Sequence, residues 1–446
     1  MKKEIFNKIF TQAQNQGFSD QEIYYTTATS FEAQILKAQV HEYKNTTHQG
    51  ISFRGTYNGK MGYAYTEKIE PDIVPTLVNM AKENAQIIES DVEEELFAGS
   101  PSYPTVEGLR HTLGQVSATE KIAMAKEMEK IAFALDKRIV AVDYCAIAAG
   151  ESKVVISNSK GLDLEHINGN GASVISVRAV DGDSTKIGTK LWGGKDFLSF
   201  NAEDIAKEAV DLAIKKLGAT SIRSGDYPII IENKIFASLL SIFVSNFFAE
   251  TVQKGFSLLQ GKIGEQIGAP ILTIKDNIAH PLSLQANSFD SEGVAFYDKV
   301  VIENGILQTY LYNLKAAKKD GVSSTGNGFK ASFKTSVATD TGNFFVEPGT
   351  IPFSEMIHGF SGVFITGLQG LHAGANPISG DFSLQAEGFL VEKGEVVKPI
   401  EQITVAGNFY TLLKNIEKIA SDLYFSPFGQ IGSPSVLVNG LTVAGE

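Results

Sequence analysis

Hydrophobic residues along the first half of the chain alternate between helical and strand-like spacing. A helical stripe begins at Ile5 and ends at Gly17, which predicts a first helix. Strand-like segments follow over residues 22–65, with a break at 28–30, and a second helical stripe covers about 71–88. The pattern therefore predicts a unit made of one helix, four or five antiparallel strands and a closing helix.

The same order of elements recurs after a connector at residues 89–116. Ser117, with a glutamate three residues later, forms a capping box at the start of a third helix. Strands are predicted over 139–192, with a break at 149–151, and a fourth helix follows them. The residue identities do not repeat, so the duplication rests on the pattern alone. We expect a duplicated α+β domain over residues 1–222.

The composition and the hydrophobic pattern of the sequence change from about residue 223 onward. One apolar helix is predicted over 234–248, and the rest of the chain is rich in glycine and turn signals. An Asn-Gly pair at 304–305 and a Lys-Gly pair at 393–394 each join two strand-like segments as hairpin turns. We therefore expect a mostly antiparallel β domain over residues 223–446, which makes the fold class α+β.

Composition and charge argue against several classes of function for this protein. The 446 residues carry 39 Lys plus Arg against 51 Asp plus Glu, a net charge of −12, and no basic cluster that would neutralise phosphates. The single cysteine excludes an intrachain disulfide framework. The N-terminus has no secretory signal pattern, and the longest apolar stretch, at 235–249, is too short and too polar to span a bilayer. We expect a cytoplasmic protein that binds neither nucleic acid nor membrane.

The common catalytic signatures are incomplete in this sequence. The glycines at 255–261 have the wrong spacing for a phosphate loop, those at 326–328 lack the rest of a dinucleotide fingerprint, and the segment 359–363 lacks the second glycine of a nucleophile elbow. Cys145 lies in an apolar strand, where a buried structural role is expected. Spacing and composition alone therefore do not identify an activity.

The seven histidines do not form a helical metal-binding pair. They are His41, His48, His111, His166, His280, His358 and His372. No two lie three or four residues apart, so only tertiary proximity can build a metal site, for example from His358, His372 and Asp381. For each histidine taken singly, a surface or hydrogen-bonded role is the expectation.

Three C-terminal segments carry a family resemblance. Residues 288–294 read Ser-Phe-Asp-Ser-Glu-Gly-Val, residues 324–328 read Ser-Thr-Gly-Asn-Gly, and residues 378–395 contain Ser-Gly-Asp-Phe-Ser and Ala-Glu-Gly-Phe-Leu-Val-Glu. Together with Ile-Thr-Val-Ala-Gly-Asn-Phe at 403–409, they resemble the TldD/PmbA family, also called the modulators of DNA gyrase. The order and spacing of these motifs extend the resemblance over essentially the whole chain.

The resemblance implies a metalloprotease family with two arms. In the TldD arm a C-terminal helix carries His-Glu-x-x-x-His, which binds zinc and activates water. Here the matching positions fall at Leu240, Ser241 and Ser245, and no histidine occurs between His166 and His280. The chain therefore resembles the PmbA (TldE) arm. No cofactor is expected in this chain, and zinc is expected in a partner subunit.

The motif residues are the candidate site residues. They are Asp290, Glu292, Thr325, Asn327, His372, Asp381 and Asn408. In one interpretation their loops line a cavity that holds an extended peptide through main-chain groups. In the other they set turns and hydrogen-bond loop backbones. Both interpretations stay open from the sequence.

The resemblance favours a subunit without the zinc motif that acts with a zinc-bearing TldD-like homologue on unfolded or extended peptides. A heterodimer is then expected, with the apolar loop around Phe425 and Phe428 at the contact. A stand-alone peptide-binding homodimer is one alternative. A hydrolase with an atypical metal site is another.

Overall fold

The computed structural model describes residues 2–89, 95–106 and 113–446. It is 24% helix and 42% strand, which confirms the α+β class. The predicted connector at 89–116 lies partly outside the described residues, and so does His111. In the described ranges, no helix is both long enough and apolar enough to cross a membrane.

The N-terminal half consists of two units, each with one helix, three strands and one helix. Its elements are α1 Lys2–Asn15, β1 Gln21–Leu36, β2 Gln39–Tyr57, β3 Lys60–Thr66, α2 Val74–Ile87, α3 Ala118–Leu135, β4 Ile139–Asn158, β5 Asp163–Asp181, β6 Ser184–Gly194 and α4 Ala202–Lys215. The duplicated order of elements is confirmed. The expected four or five strands per unit are wrong, because the strands are fewer and longer.

The strand breaks predicted at 28–30 and 149–151 are absent because these two segments pair with each other. Ala28 lies opposite Ser152 in the antiparallel pair of β1 and β4, which is the centre of the sheet. The other edge of β1 pairs with β2 over the same residues. A strand with neighbours on both edges keeps its backbone hydrogen bonds whatever the polarity of its side chains.

The six N-terminal strands form one antiparallel sheet in the order β3-β2-β1-β4-β5-β6. Helices α1 and α2 pack on the first three strands and form one hydrophobic core with them. Helices α3 and α4 pack on the last three strands and form a second core, to which Phe31, Ala33 and Ile35 at the end of β1 also belong. The predicted capping box is present: Ser117 Oγ accepts from Glu120 N at 3.2 Å, and Glu120 Oε2 accepts from Ser117 N at 2.7 Å.

The C-terminal half contains short helices among many strands. Its elements are β7 Gly225–Ile231, α5 Asn233–Phe243, α6 Ala249–Gln253, β8 Ile274–Asn277, β9 Lys299–Glu303, β10 Ile306–Leu307, α7 Leu314–Asp320, β11 Gly328–Phe329, β12 Ala338–Thr339, β13 Asn343–Val346, α8 Phe353–Ile357, β14 Gly362–Gln369, β15 Asp381–Glu392, β16 Glu395–Asn408, α9 Phe409–Lys414, β17 Ile416–Ile419, β18 Tyr424–Phe425, β19 Ile431–Ser433 and β20 Val436–Ala444.

Two larger sheets share the main C-terminal core. Strands β16-β15-β14-β7-β20 close into a barrel, because β16 also pairs with β20. The second sheet has the order β10-β9-β8-β13-β19-β18. The pairs β7–β14 and β13–β19 are parallel, so both sheets are mixed. Both predicted hairpin turns are confirmed, with positive φ at Asn304, Gly305, Lys393 and Gly394.

The helix predicted over 234–248 is shorter than expected. It ends at Phe243, continues as the 3₁₀ turn Val244–Phe247 and is followed by α6. The buried Asn246 amide donates to the carbonyl of Phe243 at 3.1 Å and to that of Pro377 at 2.9 Å. A side chain that satisfies these carbonyls competes with the continuing helix.

Candidate functional site

The first two sequence motifs form a hydrogen-bonded hub centred on Asp290. Asp290 Oδ1 accepts from the backbone N–H of Glu292 at 2.9 Å and of Val294 at 3.0 Å, and Oδ2 accepts from Gly328 N at 2.8 Å. Glu292 Oε2 in turn accepts from Leu314 N, at the start of α7, at 2.7 Å. One carboxylate thus ties the loop at 288–294 to the loop at 324–328.

Asn327 connects this hub to a second buried carboxylate. Its amide donates to Asp276 Oδ2 at 2.8 Å and to the Asp340 carbonyl at 2.8 Å, and its Oδ1 accepts from Thr325 Oγ1 at 2.7 Å. Lys299 Nζ lies 3.4 Å from Asp276 Oδ2. We call Asp276, Asp290, Glu292, Lys299 and Asn327 the buried polar core; all five are buried.

Burial dominates the electrostatics of the buried polar core. It raises the pKa of Asp290 well above its usual range, and the neighbouring charge of Glu292 adds to the effect. Burial also raises the pKa of Asp276 and lowers that of Lys299, although the two groups attract each other. Desolvation therefore outweighs pairing at both partners, as is common for buried ion pairs.

A second polar group joins the N-terminal sheet to the C-terminal half. Arg54 Nε donates to Glu22 Oε1 at 2.6 Å, and both side chains are buried. Lys330 Nζ lies 4.6 Å from the ring centroid of Tyr24 and 5.3 Å from that of Tyr63. Burial, and after it the positive charge of Arg54, lowers the pKa of Lys330 to about 7.

A cavity of about 710 Å³ lies between the two halves, beside these polar groups. Arg54 lines it from β2, Phe97 from the segment between the two N-terminal units, and Glu292, Tyr297 and Leu314 from the C-terminal half. A concave, largely apolar space with a few charged groups is the usual form of a ligand site. Glu292 is the only candidate residue from the sequence among the residues that line this cavity.

The remaining candidate residues lie elsewhere. Asn408 Nδ2 donates to Asp381 Oδ1 at 2.9 Å, and Asn408 Oδ1 caps α9. His372 and His358 are exposed. The structure thus brings Asp290, Glu292, Thr325 and Asn327 together, pairs Asp381 with Asn408, and leaves His372 apart. Within the described ranges, no group of three His, Cys, Asp or Glu side chains is placed to hold a metal ion. His358, His372 and Asp381 therefore do not form the metal site that the sequence left open.

The residues on α5 do not fit a zinc ion. Leu240 is buried in the hydrophobic core, and the Ser241 hydroxyl donates to the carbonyl of Ser238 at 2.7 Å. Ser245, in the 3₁₀ turn after α5, offers one more neutral hydroxyl. Zinc sites in proteins use imidazole, thiolate or carboxylate ligands, and none of these occurs over residues 233–248. Residues 233–248 therefore supply no zinc ligands.

Of the two phenylalanines expected at a partner contact, one is exposed and the other is buried. Phe428 is 58% exposed, but Phe425 is buried and packs against Phe345 and His280, with ring centroids 5.6 and 5.1 Å away. Phe425 therefore belongs to the fold. Only Phe428 is available for contact from this pair.

Sequence reasoning missed Asp276, Lys299, Arg54 and Lys330. Each becomes distinctive only through a partner that is distant in sequence, such as Asp276 with Lys299 or Arg54 with Glu22. No local spacing signal marks these residues. Asp276, Lys299 and Arg54 are set apart by the burial of a charge, and Lys330 by its position over the Tyr24 and Tyr63 rings. Both are tertiary properties.

Family models cover most of the chain in three consecutive parts. Residues 22–87 match PmbA/TldA metallopeptidase domain 1, residues 111–217 match the central domain of the same family, and residues 224–445 match its C-terminal domain. The fold and its motif loops are thus those of a metallopeptidase family.

Individual relatives agree with the family models. A metalloprotease PmbA homolog of Buchnera aphidicola is 30% identical, over 73% of this chain and 70% of that protein. A Thermotoga maritima structure, described as a candidate modulator of a DNA gyrase, is 34% identical with a TM-score of 0.91 and covers 99% of this chain and 100% of that one. TldE from Thermococcus kodakarensis shares the fold, with a TM-score of 0.90 at 24% identity, over 99% of this chain and 100% of that one. The chain belongs to the PmbA/TldD metallopeptidase family.

Proposed function

We propose that this chain is the PmbA/TldE-like subunit of a TldD/TldE-type metalloprotease and that it acts with a zinc-bearing homologue on unfolded or extended peptides. The observation that carries the proposal is the donor set of α5 and the turn after it. Residues 233–248 offer only Ser and Asn oxygens as neutral ligands, and these do not replace imidazole at zinc.

In this role the chain completes a substrate chamber and holds an extended peptide. This role is supported by the way the motif loops are held from inside the fold: Asp290 accepts from backbone N–H groups of both loops, and Asn327 donates to the Asp340 carbonyl. An extended peptide can bind beside such loops through main-chain hydrogen bonds, which require no particular side-chain sequence.

The test compares this chain, a zinc-bearing homologue and their mixture on an unfolded peptide. We expect cleavage to rise sharply in the mixture, no cleavage by this chain alone, and complete loss with a chelator. Chelator-sensitive cleavage by this chain alone, at a rate comparable to the mixture, would instead identify a hydrolase with an atypical metal site. Peptide binding without any gain on mixing would favour a stand-alone peptide-binding homodimer.

A pair of surface variants tests the contact. Phe428→Asp places a charge on an apolar side chain that is 58% exposed, on the loop between β18 and β19. Leu198→Asp is the matched control, because Leu198 is 89% exposed on the N-terminal half. We expect Phe428→Asp to lower cleavage by the mixture and Leu198→Asp to leave it unchanged. Equal activities would reject this contact surface but not the absence of zinc ligands over residues 233–248.

A further inference from the structure

Strand β2 is much longer than its outer neighbour β3. Strand β3 pairs only with the segment Ile51–Tyr57, so in the part of the chain that the structure describes residues 39–49 pair with β1 alone. All of these residues are exposed except Thr46, which is half-buried. The outer edge of β2 therefore presents a row of backbone N–H and C=O groups to solvent.

This edge lacks most of the features that protect exposed strands. Proteins commonly block such edges with prolines, several lysines or a covering loop. Residues 39–49 contain no proline and one lysine, and the single bulge lies near the start of the strand, between Val40 and Glu42. The edge also exposes two apolar side chains, Val40 at 41% and Tyr43 at 50%. A long, exposed and partly apolar edge is a template for pairing with another strand.

The charges on the edge are self-complementary in one antiparallel register, which favours a second copy of this chain as the partner. Antiparallel pairing of two copies about a twofold axis at Tyr43 places Glu42 of each copy opposite Lys44 of the other. Opposite charges at directly facing positions stabilise a strand pair, whereas like charges destabilise it. In one copy Glu42 and Lys44 already attract each other, at 2.7 Å, but both are about half exposed and such a pair contributes little.

We propose that residues 39–49 of β2 are a self-pairing edge through which two copies of this chain associate and join their six-stranded sheets. The pairing repeats the antiparallel geometry that already joins β1 to β4 inside the sheet. It uses a surface of the N-terminal half and does not rest on the proposed function. An extended peptide is the competing occupant of the same edge.

Charge reversal tests the pairing. Glu42→Lys and Lys44→Glu each place two like-charged pairs across the axis, so we expect each to weaken self-association of the full chain about tenfold or more in sedimentation experiments. The double variant Glu42→Lys/Lys44→Glu restores both pairs and should restore association. Lys207→Glu, on an exposed face of α4, is the control and should associate as the unchanged chain does.

Cysteine cross-linking tests which residues of the two β2 strands face each other. Tyr43 lies on the axis, so in Tyr43→Cys the two new thiols face each other at about 5 Å between Cα atoms, within disulfide range. In Val40→Cys the two thiols lie six positions apart, about 20 Å, and should not cross-link. The only native cysteine, Cys145, is buried and does not interfere.

Three results would overturn the proposal: a chain that stays monomeric at every concentration, single reversals without effect, or Val40→Cys linking as readily as Tyr43→Cys. A monomer that binds an unfolded peptide, and loses it in Lys44→Glu without rescue in the double variant, would assign the edge to a peptide instead.

Discussion

Gly188 on β6 packs directly against Ala209 on α4, and a Cβ added to Gly188 would overlap the Ala209 carbonyl oxygen. In the first N-terminal unit, Gly62 on β3 has the same relationship with the carbonyl of Ala81 on α2. In both units the glycine lets the closing helix rest on the last strand. The two units therefore share a packing contact that their sequences do not reveal as a repeat.

Alanine at either glycine should destabilise the fold. Gly188→Ala and Gly62→Ala each force a helix backbone away from its strand, so we expect the free energy of unfolding to fall by about 2–3 kcal/mol in urea denaturation. Gly150→Ala is the matched control, because its Cβ would meet only the Thr29 carbonyl at 3.5 Å, an ordinary contact. A loss in the control as large as in the other two variants would contradict this explanation.

Removal of the Asp290 carboxylate should be among the most damaging changes in the C-terminal half. Asp290→Ala leaves three buried backbone N–H groups without their acceptor, so we expect a loss of at least about 3 kcal/mol in the free energy of unfolding. Asp381→Ala, at an exposed carboxylate, should cost less than about 1 kcal/mol. Similar losses in the two variants would show that Asp290 is not the hub of the motif loops.

The thiol of Cys145 should be inert in the folded protein. Cys145 is fully buried, its Sγ donates to the Ala125 carbonyl at 3.3 Å, and burial raises its pKa to about 12. Thiolate, which is the reactive form, is therefore scarce at neutral pH. We expect an aromatic disulfide reagent to titrate no thiol in buffer and one thiol in denaturant. Rapid reaction in buffer would mean that β4 opens readily.

The purified chain should hold no stoichiometric zinc. The helix α5 presents no imidazole, thiolate or carboxylate, and its lysine is not a zinc ligand at neutral pH. We expect elemental analysis after dialysis to find far less than one zinc per chain, with unchanged thermal stability in the presence of a chelator. One tightly held equivalent, lost in His358→Ala or His372→Ala, would point to a site outside α5.

Local signals account for the parts of the fold that the sequence predicts. The capping box at Ser117 and the turn at Asn304 and Gly305 depend on residues close together in the chain, and both are found as expected. The strand through Ala28 depends instead on pairing with Ser152, which no local pattern encodes. Tertiary contacts therefore override a polar interruption in the strand.

The candidate site also contains residues that the sequence identifies and residues that only the tertiary structure reveals. Asp290 and Asn327 stand out because each lies in a motif, and the structure places both in the buried polar core. Their partners Asp276 and Lys299 carry no such mark, because burial alone makes them unusual. Asp381 and Asn408 meet each other but not the hub, since they face each other on neighbouring strands of the barrel. The sequence motifs thus identify residues with a structural role, but they do not show which of these residues contact each other in the fold.

Lys330 should make stability depend on pH. Its pKa is about 7 in the folded chain, against about 10.4 for a lysine in an unfolded chain. Between these values the unfolded state binds more protons, so the free energy of unfolding rises with pH through this window. Lys330→Met removes the titrating group but keeps an unbranched side chain over the Tyr24 and Tyr63 rings. We therefore expect the free energy of unfolding of Lys330→Met, measured by urea denaturation, to exceed that of the unchanged chain by most near pH 6 and by progressively less toward pH 9.

Lys334→Met is the control for this pH dependence. It changes an exposed lysine paired with Glu67 and should show no such trend. A Lys330→Met advantage that is constant or grows with pH would show that Lys330 stays protonated in the folded protein.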